Sequence, residues 1–487
     1  MAWTQFLYSR DVTIKISRSY GFKVTAAMTT IRPTSLHYKV WDSDGNLYIA
    51  VPYSDQGTRF SVEFSDNLYD FHTSCTDPSN CTFVKTFAED DIVVGKEPIN
   101  SLMIFASPVP EKNTIPHLKK SSTLVVKPGL VTGLEKTDRS TIVFSPGIYW
   151  FTGVAHANLS SAVDWVYFAP GAYVKGAIQF NTRSSVIRVT GHGVLSGEQY
   201  VYQSNPAHNY TSYFDNENCL RMWRGTSISD TQQTFYLSGV TMSSPPFNSL
   251  DFDGDLDTIS IHASDYKQVG AYFGQTDGIT LYPNSSVHDV FYHSNDDTIK
   301  TYFSNVDVQR VTVWKGTTAP IIQFGWASRN LSNVTVNSVN VIHSRWNSNV
   351  SHPSLIGANQ IYSYSESDTN TASLSNTISD VTFSNIRAEG ISGNLFRIVP
   401  LSNIRNLTIE NIYIHQYSGT TGVPESQLPM WYDSDGNSVS VKGFLVKNFQ
   451  VGEEQVGFGK GNWEIGQAGN LNIAHELLQE GGVQVRV

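Results

Sequence analysis

Through roughly the first hundred residues, apolar and polar positions alternate in short runs. Val12-Thr13-Ile14-Lys15-Ile16, Leu47-Tyr48-Ile49-Ala50-Val51 and Phe60-Ser61-Val62-Glu63-Phe64 each put every second side chain on one face. Turn chemistry separates these runs, as in Asp42-Ser43-Asp44-Gly45-Asn46. The pattern predicts an antiparallel β-sandwich over residues 1–130, ending in a Pro- and Lys-rich connection from Ser107 to Gly129.

A different rhythm begins at Ile142. Ile142-Val143-Phe144-Ser145-Pro146-Gly147-Ile148-Tyr149 is matched 24 positions later by Val166-Tyr167-Phe168-Ala169-Pro170-Gly171-Ala172-Tyr173. Further strands start at Val290, Val311, Val334, Val381, Leu407 and Phe444, with gaps of 21, 23, 47, 26 and 37 residues. One coil of a parallel solenoid takes about 20 residues or a little more. The gap of 47 then reads as two coils, and those of 26 and 37 as coils with inserted loops. Asn recurs at strand ends, as in Asn333, Asn406 and Asn411, and Asn tolerates left-handed backbone. The repeats are too short for four-stranded propeller blades and lack a leucine-rich signature. The expected fold class is all-β: the amino-terminal sandwich, then a right-handed parallel β-helix over 131–487.

Composition narrows the partner. The net charge of −10 disfavours nucleic acid and suits a neutral polysaccharide. No run of 18 apolar residues offers a membrane span. Eight Asn-x-Ser/Thr sites (Asn80, Asn158, Asn209, Asn284, Asn330, Asn333, Asn349 and Asn406) point to a secreted glycoprotein. Met1-Ala2-Trp3-Thr4-Gln5 carries no signal sequence, so a signal is expected upstream. Cys75 and Cys81 flank a turn and either pair or stay as thiols; Cys219 is left over, and three cysteines make no metal or redox motif.

The candidate chemistry lies in Gln275-Thr276-Asp277-Gly278 and His293-Ser294-Asn295-Asp296-Asp297. Asp296 and Asp297 follow Asp277 by 19 and 20 residues. Alone, Asp277-Gly278 is an ordinary turn and Asp296-Asp297 a solvated loop. One coil apart, they would stack on rungs about 4.8 Å from each other. Repulsion among three carboxylates raises at least one pKa and so supplies a general acid. Asp296 and Asp297 share one cleft only if the chain bends there. Lys300 is placed either to return its ammonium to the carboxylates or to lie exposed on a strand. Tyr266, Trp223 and Trp326 are candidates for stacking on sugar, each also readable as core. His192 reads as a turn residue, and His293 either supports the acids from behind or is a core histidine, the reading favoured.

These motifs resemble glycoside hydrolase family 49, which holds dextranases and isopullulanase. The likeness extends through Trp165-Val166-Tyr167-Phe168-Ala169-Pro170-Gly171, Gly191-His192-Gly193-Val194-Leu195-Ser196-Gly197-Glu198, Pro245-Pro246-Phe247-Asn248, Asp265-Tyr266-Lys267-Gln268 and Phe324-Gly325-Trp326. It weakens from about Lys460 onward, and the family's sandwich starts upstream of Met1. The resemblance implies a sandwich joined to a β-helix and an inverting endo-hydrolase of α-glucans. Asp296 would be the general acid, with Asp277 and Asp297 holding and deprotonating the attacking water. Inversion sets an expected carboxyl separation of about 6.5–9.5 Å. Neither metal nor cofactor is expected, nor a nucleic-acid or membrane partner, and the enzyme is expected to act as a monomer.

Ile115-Pro116-His117-Leu118, Tyr200-Val201-Tyr202-Gln203 and Ile321-Ile322-Gln323-Phe324 are similar to dextranases. Arg387-Ala388-Glu389-Gly390 and Met430-Trp431-Tyr432-Asp433 are closer to isopullulanase. Dextran, with its α-1,6 bonds, is the expected substrate, and pullulan the alternative. A polygalacturonase-like hydrolase would need an Arg-Ile-Lys segment, which the sequence lacks. A non-catalytic glycan-binding solenoid would not need the three aspartates together.

Overall fold

The computed structural model describes the chain except residues 20–21, 73–92, 152–155, 206–207, 209–218, 346–353, 359–370, 393, 418–425, 457–470, 474–482 and 487. Cys75, Cys81 and the sites at Asn80, Asn209 and Asn349 lie outside the described residues.

Strict alternation at the front of the chain produces two facing sheets. One orders Ala2–Tyr8, Leu102–Pro108, Thr58–Phe64 and Thr29–Arg32; the other orders Val12–Ile16, Asn46–Val51 and Lys39–Ser43. Leu47, Ile49 and Val51 meet Phe60, Val62, Phe64, Ile104 and Ala106 in a shared core. Within the turn segment Asp42–Asn46, Asp44 and Gly45 both take left-handed backbone (φ 51° and 75°), which closes a two-residue hairpin. The pairings are antiparallel save that of Ala2–Tyr8 with Leu102–Pro108, which is parallel.

The solenoid's long sheet takes its first strands at Thr123–Val126 and Gly129–Val131, and among the described residues runs through 20 strands in chain order. Ile142 pairs with Val166, the predicted offset of 24. The second strands slip by one: Gly147 pairs with Ala172 and Tyr149 with Val174. Burial explains the slip, since Tyr149 and Val174 point inward and Ile148 outward. Two further spacings need correction. Val334 stacks on Val306, not on Val311, which pairs with Val339. Leu331–Ser344 also pairs directly with Ser373–Ser392, so the gap of 47 is one coil with a long insertion, not two coils.

A column of left-handed residues turns each later coil. Asn284, Asn305, Asn333, Asp380 and Asn406 have φ of 59°, 59°, 57°, 56° and 56°. Asn305 Nδ2 donates to Asn284 Oδ1 (2.9 Å), and Asn333 Nδ2 to Asn305 Oδ1 (2.9 Å). Asn satisfies both needs of this position, a tolerated positive φ and a side-chain bond to the next rung. Inside the coils, apolar side chains stack in register, as do Phe144 and Phe168 with ring centroids 5.2 Å apart. Each such fully buried side chain contributes about 1.5–3 kcal/mol.

The sandwich is clamped to the solenoid. Along Leu102–Pro108, Ile104 and Ala106 face the sandwich core, while Met103 and Phe105 pack on Val269, Phe291, Trp314 and Ile342. Arg59 pairs with Asp265 at 2.7 Å, His343 with Glu63 at 2.6 Å and Arg32 with Glu389 at 2.9 Å. Phe291 belongs to Ser286–Ser294, the strand leading into Asp296.

The third face of the solenoid is interrupted. One short sheet ends with Leu250–Gly254, and the next starts with Ile299–Lys300. The coil between them contributes one bridge to that face, Thr280 to Lys300. This gap opens the wall where Asp277 lies. No helix among the described residues is long and apolar enough to cross a membrane.

Candidate active site

The interruption holds a cavity of about 330 Å³, lined by Phe247, Asn248, Gln275, Asp277, Thr280, Asp296, Asp297, Lys300, Tyr302 and Trp326. Adjacent-rung bonds fix the register of the acids: Gly278 N donates to Asp297 O (3.0 Å) and Asn295 N to Thr276 O (3.2 Å). Asp277 therefore sits level with Asp297. The chain bends at Asp296 between Ser286–Ser294 and Ile299–Lys300, so both neighbours serve one cavity.

One oxygen from each of Asp277, Asp296 and Asp297 lies within 4.8 Å of the others. That is tighter than the expected separation of about 6.5–9.5 Å. The cause is the scaffold, because side chains on adjoining rungs start only about 4.8 Å apart.

The three carboxyls differ in their surroundings. Asp277 meets donors on both oxygens: Lys300 Nζ reaches Oδ2 (2.9 Å), and the Asn248 amide, with its NH2 toward the carboxylate, reaches Oδ1 (2.8 Å). Asp297 Oδ2 accepts from Tyr302 OH (2.8 Å) and Trp326 Nε1 (3.0 Å). Asp297 Oδ1 is buried with no partner among the described residues. Burial, then the Asp277 charge, pushes the Asp297 carboxyl up to about 7. Asp296 is driven well above the usual carboxylate range by burial first and then by Asp277 and Asp297. The Lys315 ammonium opposes that rise and is itself pulled down to about 8 by burial. Lys315 Nζ donates to Asp296 O and to Thr318 O (2.5 Å).

A supporting layer holds the two acidic turns. Gln268 Nε2 donates to Asp277 O (2.9 Å) and His293 O (3.2 Å). Asn295 Nδ2 donates to Tyr272 O (3.0 Å), and its Oδ1 accepts from Thr317 N (2.5 Å).

The sequence-based candidates divide. Asp277, Asp296, Asp297, Lys300 and Trp326 come together at the cavity. Lys300 is buried and paired with Asp277 rather than exposed. Trp223 and Tyr266 do not join them: both are 0% exposed in the solenoid core, Trp223 against Phe168 and Tyr266 against Tyr292. With no open face, neither can stack on a sugar. His293 is buried between Tyr272 and Trp314, and His192 meets Asp265 at 3.1 Å in the domain interface. Tyr302, Asn248, Gln268 and Lys315 were missed. Alternation from Lys300 could have found Tyr302; the others reach the site through the fold.

Comparisons with known proteins identify the lineage. Residues 1–109 match the Glycosyl hydrolase family 49 N-terminal Ig-like domain, and 365–482 match Glycosyl hydrolase family 49. Residues 246–278 match a beta solenoid repeat from dextranase, and 314–346 an isopullulanase beta-solenoid repeat. An isopullulanase of Aspergillus niger is 44% identical over 463 residues, covering 93% of this chain and 78% of that protein. The chain belongs to glycosyl hydrolase family 49. A dextranase of Talaromyces minioluteus is 40% identical, over 97% of this chain and 76% of its own. The solved Dex49A from Penicillium minioluteum superposes with a TM-score of 0.88 at 38% identity, covering 99% of this chain and 83% of that one.

The strained carboxyls of this family 49 site have a cost in stability. The Asp297 carboxyl is raised from 3.8 to about 7 in the folded state, so between these values the native chain holds a proton the unfolded chain has lost. Stability therefore falls as pH rises through that window. Asp297→Asn is expected to raise the melting temperature at pH 7 and to change it much less at pH 4, as thermal denaturation at both pH values will show. An equal shift at both would contradict the charge argument.

Proposed function

We propose that this family 49 member is an inverting endo-hydrolase of α-glucans, acting on the α-1,6 bonds of dextran. The observation that carries the reading is one open cavity holding a protonated-range acid, Asp296, beside a donor-clamped carboxylate, Asp277. Asp296 gives its proton to the glycosidic oxygen as that bond breaks. A water held between Asp277 and Asp297 Oδ1 attacks the anomeric carbon and passes its proton to Asp277. Two carboxyls holding one water replace the single distant base of the usual inverting pair, which accommodates the tight spacing. Trp326 and Tyr302 orient Asp297, and Lys300 orients Asp277. The substrate is a neutral polymer outside the cell, consistent with a secreted protein acting as a monomer.

The dextran choice follows from the cavity walls. The dextranase-type repeat spans Phe247, Asn248, Gln275 and Asp277, whereas the isopullulanase-type repeat contributes Trp326. Discrimination is set by groups near the reacting bond. Pullulan remains the second reading because the Aspergillus niger isopullulanase is 44% identical against 40% for the Talaromyces minioluteus dextranase. Equal amounts of enzyme on each polymer, followed by reducing ends and product sizes, decide between them. Short isomalto-oligosaccharides from dextran are expected. Isopanose from pullulan with dextran untouched would overturn the choice.

Lys315 gives a pH test. Its charge lowers the pKa of the carboxyls it faces, Asp296 above all, while Lys300 remains as the other cation at the cluster. Lys315→Met removes the charge and keeps the bulk. The alkaline limb of the pH–rate profile is expected to move to higher pH, because the acid keeps its proton longer. An unmoved alkaline limb in a folded variant would contradict this placement.

A further inference from the structure

Two aromatic side chains beside the cavity have no part in the mechanism above. Tyr272 and Phe273 are 42% and 55% exposed, in succession, on the turn that leads into Asp277. Tyr272 leans toward the domain interface, edge-on to His293 at 4.6 Å. Phe273 does not. Its ring lies nearly parallel to Tyr202, with centroids 5.0 Å apart and planes at 17°. A ring covered on one face and more than half exposed presents its other face to solvent.

The turn beneath this ring is firmly built. Thr276 N and Thr276 Oγ1 both donate to Phe273 O, at 3.2 and 2.6 Å. Gln275 N donates to Tyr202 OH at 2.8 Å, and Gln203 bonds the Gln275 side chain. A Cβ on Gly274 would come within 2.9 Å of Tyr202 OH, so glycine lets the Tyr202 ring close on the turn. The ends of such a turn lie less than about 7 Å apart. Asp277 is one further step of about 3.8 Å along the chain. Gln275 and Asp277 themselves line the cavity. Phe273 does not itself line the cavity, but its backbone lies within about 11 Å of that of Asp277, within reach of sugar units next to the bond being cut.

We propose that Phe273, backed by Tyr202, is a stacking platform for a glucose unit of the α-glucan chain outside the pair of units being separated. The proposal rests on the glucan reading of the site. The ring offers the flat apolar face that matches the C–H face of a pyranose. Gln275 beside it, on the cavity wall, offers a neutral polar group suited to sugar hydroxyls. An exposed aromatic held rigid at the mouth of a polar cavity marks a ligand groove. Binding away from the reacting bond strengthens the hold on long substrates and leaves the chemical step alone.

The test uses wild type, Phe273→Ala and Phe273→Trp, each on long dextran and on the shortest isomalto-oligosaccharide that wild type cleaves. The substitution sites are exposed, and a matching melting temperature checks the fold. Phe273→Ala is expected to raise KM for dextran about 3- to 10-fold, the size of one lost aromatic contact, with kcat unchanged. Its kcat/KM on the short substrate should match wild type, and Phe273→Trp should restore the dextran KM. An unchanged dextran KM, or equal losses on long and short substrates, overturns the platform and leaves the glucan reading standing. Wild type that cleaves neither dextran nor pullulan removes the glucan reading and the platform with it.

Discussion

Asp296→Asn is expected to lower kcat on dextran about 10²- to 10⁴-fold while the protein stays folded. Asn has the shape of Asp but no acidic proton, so the departing sugar oxygen would leave as an alkoxide. The fold should tolerate the change. Asp297 N donates to Asp296 Oδ1 at 2.8 Å, and an Asn Oδ1 accepts the same bond. Burying Asn also removes the need to take up a proton on folding, so the melting temperature should hold or rise. The loss should shrink on an aryl glycoside whose leaving group needs no proton. Steady-state rates on both substrates check this. An Asp296→Asn enzyme with more than about a tenth of wild-type kcat on dextran would remove Asp296 from the acid role.

Gly278→Ala is expected to damage both stability and rate. A Cβ at Gly278 would fall deep inside van der Waals contact of Thr298 O and 2.9 Å from its carbonyl carbon. Both atoms are backbone, so no rotamer change relieves the clash. The rungs carrying Asp277 and Asp297 must separate, and the Gly278 N to Asp297 O bond of 3.0 Å stretches or breaks. Overpacking of this kind costs about 1–3 kcal/mol. A shift of about 1 Å among reacting groups costs on the order of 10²-fold in rate. Calorimetry and dextran kinetics measure the two effects. A variant equal to wild type in both would mean that the rungs are looser than this close approach implies.

Gly278 also shows where sequence reading stops. Asp277-Gly278 looks like an ordinary turn signal, yet the glycine is there to let two coils touch. The clustering of the three aspartates was legible because a solenoid converts linear spacing into spatial stacking: an offset of 20 from Asp277 to Asp297 became one rung. The sandwich strands were legible because alternation marks a half-buried face. Trp223 and Tyr266 misled because an aromatic side chain carries no local sign of which way it points, and both point into the core. The coil count failed at the 47-residue gap because an insertion has the length of a second coil. Asn248 enters from a turn, Gln268 from the middle of the strand Lys267–Val269 and Lys315 from the end of the strand Val306–Lys315, all on neighbouring coils. Their roles depend on register, which no local pattern encodes.

The close carboxyls make stereochemistry the sharpest test of the account. Nearest oxygens within 4.8 Å would, by spacing alone, suit a retaining pair with a covalent intermediate. Under the proposed mechanism a water, held by Asp277 and Asp297, instead attacks directly. Proton magnetic resonance of dextran or an isomalto-oligosaccharide, recorded within minutes of adding enzyme and before mutarotation, reads the outcome. The β-anomer is expected to appear first from the α-linked substrate. An α-anomer appearing first would rule out direct attack by water and make one of the three aspartates a nucleophile.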